Sequence, residues 1–509
     1  MRWIGLRMSS FVFPRTLIVA GLLASLCVSS RAYADQDESR FEAAGYFRVM
    51  TRPDFQGGNS KLGYSNLYGR LLNEGPYAAL EMRLHLLAED SAAQTPWTRV
   101  HAKIEGGSIA NVDSSRGNLG EFRLSQLYAQ AGNVLLKDTV WQLGTLDTYF
   151  GDLGLYDARL AQIFVDTVGL SARYRGESVE LLLGVGDAGF ALKGDRYNSV
   201  LTAGGTARLR LGNHLQLGLG AQVFWESKVE GNRFAPHDTP DIAYEDFVRS
   251  EVVQRFVEVN PGMELFFPRP ESTSASSAKL VAYVGFGDLG PLQWNSFYAN
   301  FIKKHPEGFT TETFGGESYD IYLKNFTDER YEINVGNEAQ LSIIPNRLDM
   351  AWAVLVGRHW NRDNNILAGE DNRSFFSTVL RLQYYVTPEL HLLVENSLAR
   401  EKSKKGNLFR NHVDSVFQST DGISDARGLE FGDSNTRDTW QGKIGWVLSP
   451  LGSGIYTRPS LRLLYGVQHS TQTNAFGNSF VETLDDFSTF ESKEQHLHHV
   501  LALEAEAWF

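Results

Sequence analysis

Apolar and polar residues alternate over segments of about ten residues along most of the chain, with turns rich in Gly, Asn, Asp and Pro between them. From Phe41 to Met50 one face carries Phe41, Ala43, Gly45, Phe47 and Val49, and the other Glu42, Ala44, Tyr46, Arg48 and Met50. From Tyr77 to Leu86 the apolar face is Ala78, Leu80, Met82, Leu84 and Leu86, opposite Tyr77, Ala79, Glu81, Arg83 and His85. From Leu215 to Trp225, Leu215, Leu217, Leu219, Ala221, Val223 and Trp225 alternate with Gln216, Gly218, Gly220, Gln222 and Phe224. Successive side chains of a strand point to opposite faces, so this period predicts strands with one apolar and one wet side. The pattern runs to the last residue, through Leu501, Leu503, Glu504, Glu506 and Trp508 to Phe509. In a closed transmembrane barrel lipid-facing and lumen-facing residues alternate along every strand, and a terminal aromatic sits in the interface girdle. An edge strand of a soluble sandwich also alternates, so the start of the chain has to decide.

That start reads as an export signal. Arg2, Arg7 and Arg15 precede an apolar run from Leu17 to Val28, and Ala32-Tyr33-Ala34 forms a small-x-small cleavage site before Asp35. The run is 12 residues long, short of the roughly 20 that an α-helix needs to cross hydrocarbon. Cys27 follows Leu26 rather than a small residue, which argues against lipidation. The expected organisation is a signal peptide at 1–34 and one barrel at 35–509, exported through the periplasm to a Gram-negative outer membrane, with its lipid as a partner.

Removing the signal leaves 475 residues without cysteine, so neither disulfides nor a thiol nucleophile is available. It also removes four arginines, leaving 44 basic against 60 acidic residues and a net charge of −16. Such a chain is a poor match to nucleic acid. No second apolar run could span as a helix, so a membrane location requires strands.

Short connections such as Val386-Thr-Pro388-Glu389-Leu390 predict periplasmic turns, and long polar stretches predict extracellular loops. The longest runs from about Glu226 to Lys279. It contains Pro236, Pro240, Pro261, Pro268 and Pro270, and its middle, 244–259, has partly helical spacing. At about 25 residues per strand and connection the mature chain makes roughly 16 to 20 strands. A barrel of that size encloses an aqueous channel, which makes transport the expected function.

Tyr46, Tyr77 and Trp508 fall on the charged side of their strands, and Tyr456 does so if the phase of Arg458 and Arg462 is continued. A ring exposed to water there can stack on the apolar face of a pyranose while flanking Arg, Asp and Glu bond its hydroxyls. Girdle aromatics, or rings packed under an inward loop, would show the same phase.

The residues resemble the maltoporin family of sugar-specific porins. Gly45-Tyr46-Phe47-Arg48 is similar to its first strand, and Arg70-Leu-Leu-Asn73-Glu74-Gly-Pro-Tyr77-Ala78 to its second strand and the turn before it. Phe122-Arg123, the stretch Trp141 to Asp157 and the hairpin Val379 to Glu395 match interior elements. Lys443-Ile-Gly and Gly452 to Leu463 around Arg458-Pro459 look like the next-to-last strand pair. The resemblance implies an 18-stranded barrel, assembled as a homotrimer, that passes maltodextrins along a row of aromatic rings beside a polar track. It implies Tyr46, Tyr77, Tyr456 and Trp508 for the row, with Trp294 as a fifth, and Arg48, Arg70, Arg123, Asp157 and Glu81 for the track. It also implies an inward constriction loop over about Leu146 to Val168. Two departures stand out: the second-loop tryptophan has no counterpart in 114–121, and a first-loop disulfide cannot form.

Enzymatic readings find little support, because GxSxG, HExxH and Walker patterns are absent. No cofactor is expected. His496, His498 and His499 could be considered for a metal, but His498 and His499 point to opposite faces of a strand, so a solvated rim is expected instead. A general or anion-selective porin without sugar specificity is the rival function.

Overall fold

The computed structural model describes residues 40–52, 65–88, 95–107, 122–188, 200–212, 214–226, 254, 275–304, 309–314, 317–322, 330–361, 373–403, 436–471 and 497–509. The export signal, His496 and, apart from Gln254, the helix expected over 244–259 lie outside them. Among the described residues no helix is long and apolar enough to cross a membrane.

The first half of the wall is built from β1 (Phe41–Thr51), β2 (Tyr77–Leu87), β3 (Trp97–Gly107), β4 (Phe122–Gly132), β5 (Thr139–Tyr149), β6 (Gln162–Arg175), β7 (Val179–Asp187), β8 (Val200–Leu211) and β9 (Leu215–Glu226). It continues with β10 (Ala275–Leu289) and β11 (Leu292–Lys304), after which β12 (Phe309–Phe314) and β13 (Glu317–Tyr322) form a separate hairpin. The wall resumes with β14 (Arg330–Ile344), β15 (Leu348–Asn361), β16 (Arg373–Tyr385), β17 (Leu390–Ser403), β18 (Thr436–Leu448), β19 (Ser460–Ser470) and β20 (Leu497–Trp508). These 18 wall strands pair antiparallel with their neighbours, and β1 bonds to both β2 and β20, which closes the barrel. Closure leaves no edge strand, so the backbone polar groups along the paired registers are satisfied without water.

The outward face follows the alternation. On β7, Leu181, Leu183 and Val185 are exposed, Leu183 at 71%, while Leu182 between them is buried. On β19, Leu461, Leu463 and Tyr465 face out, and Arg462, Leu464 and Gln468 face in and are buried. The seam is sealed by the last residue. Phe509 exchanges two backbone hydrogen bonds with Gly45, at 2.9 and 3.0 Å, and its ring covers the outer side of that glycine, where any Cβ would collide with it. The terminal aromatic thus also closes the β1–β20 register.

The lumen is not uniformly wet. The connection between β1 and β2 turns inward with a single helical turn, α1 (Ser65–Tyr68), and the segment 150–161 between β5 and β6 folds inward as expected. Leu71 and Leu72 pack on Leu393, Val447, Leu464, Val500 and Ala502, while Leu67 and Tyr68 pack on Ala399 and Phe375. Leu153, Leu155 and Tyr156 pack on Ala351, Ala353, Leu355 and Val379. Apolar residues therefore occupy lumen-facing positions wherever an inward segment covers them. Burying this surface offsets the conformational entropy of holding two loops inside the barrel.

Candidate functional site

Two apolar anchors set the geometry of the inner site. With Leu71 and Leu72 clamped against the wall, the turn at 70–74 closes through Asn73 and Glu74 amides that both donate to the Arg70 carbonyl at 3.2 Å. The Asn73 side chain donates to Gly69 O at 2.6 Å and to Gln441 Oε1 at 3.0 Å. Arg70 and Glu74 are thereby presented to β1 and β20. The second inward segment is tied to the first by the Arg70 amide, which donates to Leu155 O at 2.8 Å. Its own anchors are the Leu155 amide on Glu338 Oε2 at 3.0 Å and a 2.9 Å bond between the Tyr156 and Ser377 hydroxyls.

Around these turns the structure gathers three of the expected aromatics. The Tyr46 ring lies 5.6 Å from Tyr77 and 6.3 Å from Trp508, tilted by 49° and 55°. They form one strip on the inner wall across β2, β1 and β20. Trp508 is 62% exposed, so its ring is open to contact. The hydroxyls at the strip's edge are engaged: Tyr46 donates to Glu506 Oε1 and Tyr77 to Glu105 Oε2, both at 2.7 Å.

The charged residues beside the strip form a network rather than a row of free donors. Arg48 pairs with Glu74, and Arg70 reaches Glu74 at 3.1 Å and Glu506 at 3.3 Å. Glu506 also pairs with Arg462 and, at 2.6 Å, with Arg458. Asp157 adopts a left-handed backbone conformation (φ 55°), and its carboxyl lies near enough to that of Glu74 for the two to influence each other's ionisation. Burial, with Asp157 adding to it, pushes Glu74 up to about 7 despite Arg48 and Arg70. Burial also opposes ionisation of Asp157, but Arg70 outweighs it and holds that carboxyl below its usual range.

Other expected residues fall elsewhere. Trp294 and Tyr456 form a separate pair, 6.3 Å apart. Tyr456 lies in the connection between β18 and β19, not on a continued strand. Its hydroxyl donates to Glu338 and its ring packs beside Gly154 of the inward segment. Arg123 is mostly exposed and touches the strip only through Glu105, at 3.8 Å. Glu81 faces the lumen beside Arg83, at 3.7 Å, apart from the central network. Of the histidines, His498 is fully buried and inward-facing, not on a solvated rim, because it stands on the plugged side of the wall. Among the described residues no group of three His, Cys, Asp or Glu is placed to hold a metal.

Several participants escaped the sequence reading. Glu506 could have been named, since it shares the inward phase of Trp508. Glu74 could not be placed, because it stands on a turn with no period. Phe150, Tyr283 and Tyr298 form a second stack, with ring separations of 5.7 and 5.2 Å, and Tyr298 is buried. Gly151 packs directly on the Tyr298 hydroxyl, so this stack supports the inward segment.

No family model matches the sequence, and no curated protein does either. Solved structures similar to the chain include Pseudomonas aeruginosa OprD, with 8% identity over 94% of this chain and 98% of that one and a TM-score of 0.39. P. aeruginosa OccK3 (OpdO) has 10% identity over 92% and 95%, with a TM-score of 0.37. The outer-membrane-expressed OmpT of Vibrio cholerae has 10% identity over 94% and 99%, with a TM-score of 0.35. These are general likenesses between barrels, and they do not reproduce the resemblance to the maltoporins.

Proposed function

We propose that the chain is a channel of the Gram-negative outer membrane that passes maltodextrin-like oligosaccharides by facilitated diffusion, as a homotrimer. The observation that carries this reading is the unbroken strip Tyr77, Tyr46 and Trp508 on the lumen wall, bordered by Arg48, Arg70, Glu74, Asp157 and Glu506. Large rings on the wet face of a barrel wall are costly unless something apolar slides over them, and a pyranose offers an apolar face with hydroxyls around its edge. Arg48, Glu74 and Glu506 are buried and hold one another, which leaves the part-exposed Arg70 and Asp157 at the edge of the strip to meet passing hydroxyls. The inward segments fill part of the lumen beside the strip, Arg70 donating to the Tyr46 hydroxyl at 3.2 Å.

Single-channel conductance in planar bilayers, titrated with a series of linear glucans, tests this. Replacing Tyr46 or Trp508 with Ala should weaken sugar block about tenfold, since a lost stacking contact costs on the order of 1 kcal/mol or more. Ion conductance should stay level or rise slightly. Wild-type block in both variants, together with liposome swelling that shows no sugar preference, would identify a general porin instead.

The raised Glu74 carboxyl predicts a pH dependence. Glu74 is protonated below about pH 7 and charged above it, so anion preference should increase as pH falls through that value. In Glu74→Gln the step should vanish and the low-pH preference persist to pH 9. Reversal potentials in a salt gradient measure it, and an unaltered step in the variant would place the titrating group elsewhere.

A further inference from the structure

We propose that the inner wall of β6, β7 and β8 holds a subsite for anionic substituents, carboxylate or sulfate, so that the oligosaccharides this channel prefers are acidic ones. The second half of that statement rests on the sugar reading above. The first half stands on the wall itself.

A cavity of about 340 Å³ opens there, away from the aromatic strip, and Arg173, Arg175, Arg208 and Arg210 line it together with one carboxylate, Glu180. The strand register produces the cluster. Glu180 stands opposite Arg175 on one side and Arg208 on the other, so inward positions of three adjacent strands bring four guanidinia around a single acid. Glu180 is shared between Arg173, at 3.6 Å, and Arg210, at 3.2 Å. Arg173 also donates to Thr148 Oγ1 at 3.0 Å. Arg208 donates to Phe150 O at 3.3 Å and lies 5.2 Å from the Phe150 ring, while its Nε is buried without a partner. The Arg175 guanidinium makes no hydrogen bond or ion pair among the described residues.

Four like charges in a concavity with one counter-charge repel one another, and an anion entering between them removes that repulsion. Guanidinium forks pair with carboxylate or sulfate oxygens two at a time, and Thr148 and Thr206 add hydroxyls to the lining. A purely structural cluster would have used its donors internally. Here the Arg175 guanidinium, without a hydrogen bond or ion pair among the described residues, remains for a ligand.

The test is single-channel recording with maltotriose, trigalacturonate and sodium sulfate at matched ionic strength. Trigalacturonate should block at a concentration at least tenfold lower than maltotriose. Arg175→Gln should reduce that advantage at least threefold, Arg175→Gln with Arg210→Gln should abolish it, and Arg175→Lys should keep most of it. Maltotriose block should stay within twofold throughout, and sulfate should compete with trigalacturonate. Equal block by the two trisaccharides, an advantage that survives the double variant, or absence of competition by sulfate overturns the proposal. Absence of maltotriose block, with a trigalacturonate block that Arg175→Gln weakens, removes the neutral-sugar reading and leaves the subsite supported.

Discussion

Replacing residues 151–160 with a two-glycine link should raise ion conductance about twofold or more and abolish sugar block, because the excised segment packs against the inner wall and fills part of the lumen. The cut is feasible without opening the wall, since the Phe150 amide already donates to Ala161 O at 3.2 Å. The link would leave Ala351, Ala353, Leu355 and Val379 uncovered inside the barrel. It would also free Glu338 from the Leu155 amide and Arg70 from the Leu155 carbonyl. The aromatic strip would persist, but the charged network beside it would lose Asp157 and its fixed geometry. Planar-bilayer conductance and glucan titration read both effects. Unchanged conductance in a correctly folded variant would put the constriction at another loop.

The second large effect concerns stability. Glu395 on β17 accepts from Arg381 Nε and from Lys443 Nζ, each at 2.8 Å, and all three side chains are buried beneath α1. Lys443 Nζ also donates to Tyr68 O at 2.9 Å, which ties the plug to the wall. Glu395→Ala leaves two buried cations without a counter-charge and should cost about 3–5 kcal/mol, the range for breaking a buried pair from one side. Converting all three residues to Met should cost far less, because no unpaired charge remains. Denaturant midpoints of the barrel, followed by the heat-dependent gel shift, compare the two. Equal losses in both variants would mean that packing, not charge, governs this contact.

Strand identity was legible because it is a local property with a period of two. Tyr46 and Arg48 declare the wet face of β1, and Leu181, Leu183 and Val185 the lipid face of β7, without reference to the rest of the chain. The turn at 386–389 was legible too, as Pro388 and its neighbours interrupt the period. The inward segment around Asp157 was expected from its resemblance to a known loop, and its fit against the wall follows from Leu153, Leu155 and Tyr156.

Coverage of the inner wall was not legible. Ala351, Ala353, Leu464 and Val500 stand in the inward phase, and a strict reading makes them wet. They are dry because residues far away in sequence fold back over them, and an alternation pattern carries no information about which loop returns to which strand. The same holds for charge. Arg48 and Arg70 read as free donors, but Glu74, brought up by the first inward segment, and Glu506, brought up by the closed register, neutralise them.

By itself, then, the sequence determined the barrel, the phase of each strand and the residue types facing water, since each depends on neighbours two positions away. Tertiary structure decided which side of the lumen is filled, and how a strip of aromatics, a charged network and four arginines come to lie on the parts they occupy. Those outcomes depend on loop closure and cross-strand register, where the free energy lies in contacts between segments that are not neighbours in sequence.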